Sequence, residues 1–72
     1  KKQPQYLNTL TTHEKNILRY ISNNKTGVEI GALLSISTRT VEKHKSNIIK
    51  KLKLERKQNS LLIWAKENSE FI

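Results

Sequence analysis

Apolar residues recur at helical intervals along most of the chain. From Leu10 onward, Ile17, Leu18 and Ile21 fall three to four residues apart, and Thr11 stands three residues before Glu14. That spacing is a capping box: the threonine oxygen accepts an N–H of the first turn while the glutamate reaches back to the threonine N–H. It predicts a first helix over about 12–23, closed near Asn23 and Asn24 because Asn tolerates the left-handed conformation that ends helices. Thr26 and Glu29 repeat the box and open a short second helix over about 27–34, with Ile30, Leu33 and Leu34 on its inner face. Ser35-Ile36-Ser37 breaks the pattern, and Ser37 is suited to cap a third helix over about 38–53, with Val41, Ile48 and Leu52 on one stripe. A fourth helix, over about 56–68, contains Leu61-Leu62-Ile63-Trp64-Ala65. No period-two alternation, internal repeat or low-complexity stretch interrupts this order. The pattern predicts an all-α, four-helix domain over residues 9–72. The polar stretch Lys1–Asn8, which holds the only proline, reads as the end of a linker.

Charge sharpens the third helix. The 72 residues carry 14 Lys and Arg against 6 acidic residues, a formal net charge of +8. Between Arg39 and Lys57 lie eight of those basic residues and only two acids, Glu42 and Glu55. At about 100° per residue, Arg39, Lys43, Ser46 and Lys50 lie roughly opposite the apolar stripe, with Glu42, Asn47 and Lys53 on the flanks. One face is apolar and the other basic and hydrogen-bonding. A charge run is commonly just a solvated face. Here, however, the imbalance of sign follows a short capped helix and a tight turn, and together these form a helix-turn-helix. In that motif the longer helix enters the DNA major groove.

At this point the residues resemble a known family. Leu10-Thr11-x-x-Glu14, then Glu29-Ile30-x-x-Leu33-Leu34-x-Ile36-Ser37-x-x-Thr40-Val41-x-x-His44-x-x-x-Ile48-x-x-Lys51-Leu52-x-Leu54, closely resemble the LuxR-type (FixJ, NarL or GerE-type) helix-turn-helix domain of bacterial transcription regulators. The likeness runs without gaps from Leu10 to about Ala65. It implies sequence-specific binding of double-stranded DNA by the C-terminal output domain of a response-regulator-like protein in the cytoplasm. The third helix would read DNA and the fourth would help form a weak homodimer, with RNA polymerase a further candidate partner. By position, Thr40 is implied to contact phosphate near the start of the reading helix. Glu42, Lys43 and Ser46 fall at base-contacting positions. Arg39, Asn47 and Lys50 lie along the same exposed stripe, and Lys51 matches a basic position that faces the DNA backbone.

Some positions depart from the family pattern. Val28 stands where a basic residue is usual, Asn24 where Gly is preferred, Gly31 in place of Ala, and Glu42 in place of a frequent Lys. A carboxylate there favours cytosine N4.

Other chemistry finds little support. The chain has no cysteine and no aspartate, which excludes disulfides and cysteine-ligated zinc, and no acid–base pair emerges once Glu14 and Glu29 are assigned to caps. Neither a catalytic site, a metal site nor a cofactor is expected. His44 is read as structural or phosphate-facing and His13 as a solvated first-turn residue. Tyr20 and Trp64 are read as core or interface. The longest apolar run, Leu61–Ala65, is too short to span or insert into a membrane. With no methionine at position 1, the 72 residues read as a piece of a longer polypeptide.

Two further readings compete with DNA recognition. One is a basic helical module that docks an acidic protein; the other is the related helix-turn-helix of sigma-factor region 4. The Lys51-Leu52-x-Leu54 segment followed by another amphipathic helix favours the LuxR type. In that last helix Leu61, Trp64 and Ala65 share a face, while Leu62 and Ile63 point elsewhere. These two form the expected dimer contact.

Overall fold

The computed structural model describes residues 3–57 and 59–72. Four α-helices form: α1 Thr12–Ser22, α2 Gly27–Leu34, α3 Thr38–Leu52 and α4 Ser60–Glu67. Single 3₁₀ turns precede and follow them, at Leu7–Thr9 and Ser69–Phe71, and the described residues contain no strand. The all-α, four-helix expectation holds.

Each of the first three helices starts where its side chains dictate. Thr11 Oγ1 accepts the Glu14 N–H at 3.1 Å, and Glu14 Oε1 accepts the Thr11 N–H at 2.8 Å. Thr26 and Glu29 repeat the exchange at 3.1 and 2.9 Å. At α3, Ser37 Oγ accepts the Thr40 N–H at 3.1 Å. Three otherwise unpaired first-turn donors are thereby satisfied.

Helix ends rely on left-handed residues. Asn24 (φ 64°), Ser35 (φ 58°) and Lys53 (φ 55°) turn the chain after α1, α2 and α3, while Tyr6 and Asn59 do so before the first 3₁₀ turn and before α4. After Ser35, the Ile36 N–H returns to the Gly31 carbonyl at 2.9 Å, and after Lys53 the Leu54 N–H returns to the Ile49 carbonyl at 3.0 Å. Both are Schellman-type closures. The first also explains the glycine in α2. A Cβ on Gly31 would stand 2.7 Å from the Ile36 carbonyl oxygen, so this turn folds back too closely for the usual alanine.

The core joins all four helices. Ile17, Leu18, Ile30, Val41 and Ile48 are fully buried, ringed by Leu7, Leu10, Ile21, Leu52, Leu61 and Ala65. The α3 stripe of Val41, Ile48 and Leu52 is thus buried as its periodicity requires. α4 packs mainly on α1, and α2 on α3. This leaves the opposite side of α3 facing outward.

Four details differ from the sequence reading. Leu33, expected inside, is 53% exposed, and the short α2 buries only Ile30 and Gly31 fully, with Leu34 half-buried. α4 begins at Ser60 rather than near Arg56, because the left-handed backbone at Asn59 (φ 67°) cannot continue a helix. Arg56 and Lys57 therefore lie in the connector between α3 and α4. Finally, Leu7, counted with the linker, is 3% exposed and belongs to the core, and beside it the Lys53 ammonium stands 5.2 Å from the centre of the Tyr6 ring.

Candidate nucleic-acid interface

α3 carries the residues singled out by the sequence, and its three sides differ. Its outward ridge presents Arg39, Lys43 and Lys50, all exposed and none ion-paired with any described residue. Ser46 and Asn47 are half-buried beside this ridge. Three cations on one helix face, spaced by one and two turns, make a surface that attracts polyanions.

On the side toward α1, the helix is tied down. The Lys51 ammonium lies 2.8 Å from Glu14 Oε1, the same oxygen that accepts the Thr11 N–H. Glu14 is almost fully buried, whereas about a third of the Lys51 side chain meets solvent. Burial alone would raise the Glu14 carboxyl pKa. The Lys51 hydrogen bond, the Thr11 N–H and the ammonium charge outweigh it and hold the group below its ordinary value. Lys51, expected to face the DNA backbone, instead couples α3 to the first turn of α1. The reason is electrostatic: a buried carboxylate needs a cation, and Lys51 is within reach. Along the same side His13 and His44 meet edge to face, ring centres 5.0 Å apart, so His13 is not a purely solvated residue. The exposed Glu29 carboxyl is also held low, first by the backbone N–H of Thr26 and then by its hydroxyl.

Toward α4 the helix borders a cleft of about 440 Å³. Glu42 and Ser46 both line it. Glu42 pairs with Lys45 at 3.2 Å, and its carboxylate lies over Gly27, where a Cβ would come within 2.8 Å. The acid thus leans toward the positive end of α2 rather than along the outward ridge. Ser46 Oγ accepts a long hydrogen bond, 3.4 Å, from Arg56 Nη2. At the start of the helix the Thr40 hydroxyl sits 2.9 Å from the Ser37 hydroxyl, part of the cap. The eight sequence-selected residues therefore divide. Arg39, Lys43 and Lys50 make one ridge with Ser46 and Asn47 beside it, Thr40 and Glu42 lean into local partners, and Lys51 turns inward.

Sequence reasoning missed Arg56. Its charge belonged to the basic run, but assigning it to α4 hid its contact with α3. On α4, Ile63 is 55% exposed, whereas Leu62 is half-buried against the core and lines the cleft; the two do not form one outward pair. The described residues contain no group of three or more potential metal ligands, and no described helix is long and apolar enough to cross a membrane.

Residues 8–64 match the family described as bacterial regulatory proteins, luxR family (GerE). The chain belongs to the luxR family. Its members are DNA-binding regulators rather than enzymes, and the four-helix fold with its helix-turn-helix agrees with that membership.

Three relatives illustrate the company this luxR-family domain keeps. The uncharacterized transcriptional regulatory protein YhcZ of Bacillus subtilis (strain 168) is 41% identical over 59 residues, 82% of this chain and 28% of that protein. The uncharacterized response regulatory protein YgeK of Escherichia coli (strain K12) is 49% identical over 45 residues, 62% of this chain and 31% of that protein. The transcriptional activator protein SolR of Ralstonia solanacearum is 43% identical over 49 residues, 68% of this chain and 21% of that protein. The luxR-family domain thus spans less than a third of each of these relatives. No solved structure gives a significant match.

Proposed function

We propose that this luxR-family domain is the sequence-reading output domain of a bacterial transcription regulator acting in the cytoplasm, with α3 in the major groove of duplex DNA. The observation that carries the reading is the outward ridge of α3. Arg39, Lys43 and Lys50 stand on it with no ion-pair partner among the described residues, directly after the capped turn that fixes how α2 meets α3. Lys43 is central on that ridge and would reach guanine O6 and N7, and half-buried Ser46 beside it would reach a neighbouring base edge. Arg39, Asn47 and Lys50 would line the groove, and the exposed Thr40–Ser37 hydroxyl pair would meet phosphate.

Replacing Lys43 with alanine tests this. Affinity for duplexes selected from a random pool by the unaltered chain is expected to fall about tenfold, with preference relaxed at one base pair. Affinity for arbitrary duplexes should change much less. Equal losses on selected and arbitrary duplexes would remove Lys43 from base reading.

A two-fold dimer through α4 completes the proposal. The exposed Ile63 stands beside half-buried Trp64, and both line a shallow cleft of about 280 Å³ with Leu54. So small an apolar surface supports only weak association, strengthened when two copies share one DNA. Leu62, being half-buried, would contribute only its outer edge. RNA polymerase is a further partner consistent with the regulator relatives. Ile63→Lys is expected to abolish cooperative binding to a paired site while leaving single-site affinity within about twofold. Retained cooperativity would place the dimer contact away from α4.

A further inference from the structure

The α4-facing side of α3 concentrates cations that the outward ridge does not include. Lys25, Lys45, Arg56 and Lys57 all line the 440 Å³ cleft there, with Glu42 as the only acid among its lining residues. They come from three separate parts of the chain: Lys25 between α1 and α2, Lys45 on α3, and Arg56 and Lys57 in the connector to α4. Packing adds Lys25, from the turn between α1 and α2, to three members of the basic run.

We infer that this cleft is a phosphate-binding site, in which Arg56 and Lys57, backed by Lys25 and Lys45, hold the sugar–phosphate backbone of one DNA strand beside the groove that α3 occupies. The inference rests on the proposed placement of α3 in the major groove. A helix with its side chains is about 10–12 Å across, and the groove is about 12 Å wide. Each flank of the helix therefore runs along a wall of phosphates. On the α1 flank stand Thr40, His44, Asn47 and Lys51, and the lysine there is already committed to Glu14 at 2.8 Å. On the other flank Lys45 pairs with the exposed Glu42 at 3.2 Å, and Lys25, Arg56 and Lys57 add further cations.

Arg56 is the best placed of the four. It is exposed, has no carboxylate partner among the described residues, and donates one long hydrogen bond, 3.4 Å, to Ser46 of α3. Most of its donors remain available for a phosphate, for which guanidinium geometry is suited. Lys57 pairs with Glu55 at 2.8 Å, but both side chains are more than 70% exposed, and such a pair gives way to phosphate at little cost. The connector that carries them is anchored at both ends, by the Leu54 N–H to the Ile49 carbonyl at 3.0 Å and by the Ser60 N–H to the Lys57 carbonyl at 3.2 Å. The backbone on either side of the two charges is thereby fixed.

The test is a salt titration of duplex binding, using the chain and a duplex it selects from a random pool. Each lost phosphate contact lowers the slope of log affinity against log salt by about 0.9. Arg56→Gln with Lys57→Gln is expected to reduce the slope by about 1.8 without changing which base pairs are preferred. Arg56→Lys with Lys57→Arg should keep the parent slope. A control pair, Arg19→Gln with Lys66→Gln, removes two charges that lie neither on α3 nor in the cleft and should also leave the slope near that of the parent. A glutamine pair whose slope matches the control pair would overturn the inference while leaving the groove reading intact. If the unaltered chain shows no steep salt dependence, the groove reading itself fails, and this is visible before any variant is compared.

Discussion

Truncating Ile48 to alanine is expected to lower the stability of the domain by about 2–4 kcal/mol, the usual cost of emptying a buried aliphatic site. Ile48 is fully buried among the core residues contributed by α1, α2 and α3, including Ile17, Leu18, Ile30 and Val41. At roughly 0.05–0.15 kcal/mol per residue, a chain of 72 residues has only about 4–11 kcal/mol to lose. The variant should therefore melt about 8–32 °C lower, since each kcal/mol shifts the midpoint of so small a domain by about 4–8 °C. Thermal unfolding followed by circular dichroism reads this directly. A variant melting within two or three degrees of the parent would mean that α3 does not bury this stripe. The proposed outward ridge would then lose its basis, because the two faces are defined by each other.

Lys51→Met is expected to cost about 2–3 kcal/mol and to leave the salt dependence of DNA binding unchanged. Breaking a fully buried ion pair costs about 3–5 kcal/mol, and the partial exposure of the Lys51 side chain reduces that figure. What remains is a nearly buried Glu14 carboxylate still accepting the Thr11 N–H but without its cation. The loss should depend on pH. In the parent, Glu14 has a folded-state pKa below its ordinary value, so its contribution is complete above the ordinary carboxyl range and disappears as pH falls through the lowered value. In the variant, burial acts with less opposition and the folded-state pKa rises. The two stability curves should lie farthest apart near neutral pH and converge below about pH 4, close to the ordinary carboxyl pKa of ~4.3. Parallel curves across that range would show that the loss does not come from the charge interaction between Glu14 and Lys51. A salt slope reduced by about one unit would instead return Lys51 to the DNA backbone.

The parts of the fold legible in the sequence are those written by local chemistry. Thr11 with Glu14, Thr26 with Glu29 and Ser37 mark helix starts because each bond spans only three residues. The α3 stripe was equally legible, because a fifteen-residue helix shows its period four times over. The start of α4 was not, because a left-handed Asn59 leaves no trace in an apolar pattern. Leu33 misled for a related reason: two turns of helix cannot separate an inner face from its edge. At the site, the ridge of Arg39, Lys43 and Lys50 followed from angular spacing alone. The inward turn of Lys51 and the approach of Arg56 to Ser46 depend on contacts across 37 and 10 residues, which helical periodicity does not encode.

The five left-handed residues have a consequence for the unfolded chain. All are non-glycine, while the two glycines of the sequence lie in α2. A side chain in that conformation costs about 1–2 kcal/mol relative to the right-handed one. Yet glycine in its place would enlarge the denatured ensemble, and the added entropy is worth about 0.4–1 kcal/mol. The second effect offsets about half of the first, so glycine at these junctions would gain about 1 kcal/mol or less. Lys53, with its ammonium near the Tyr6 ring, shows how a residue whose backbone closes a helix can use its side chain to hold the incoming segment.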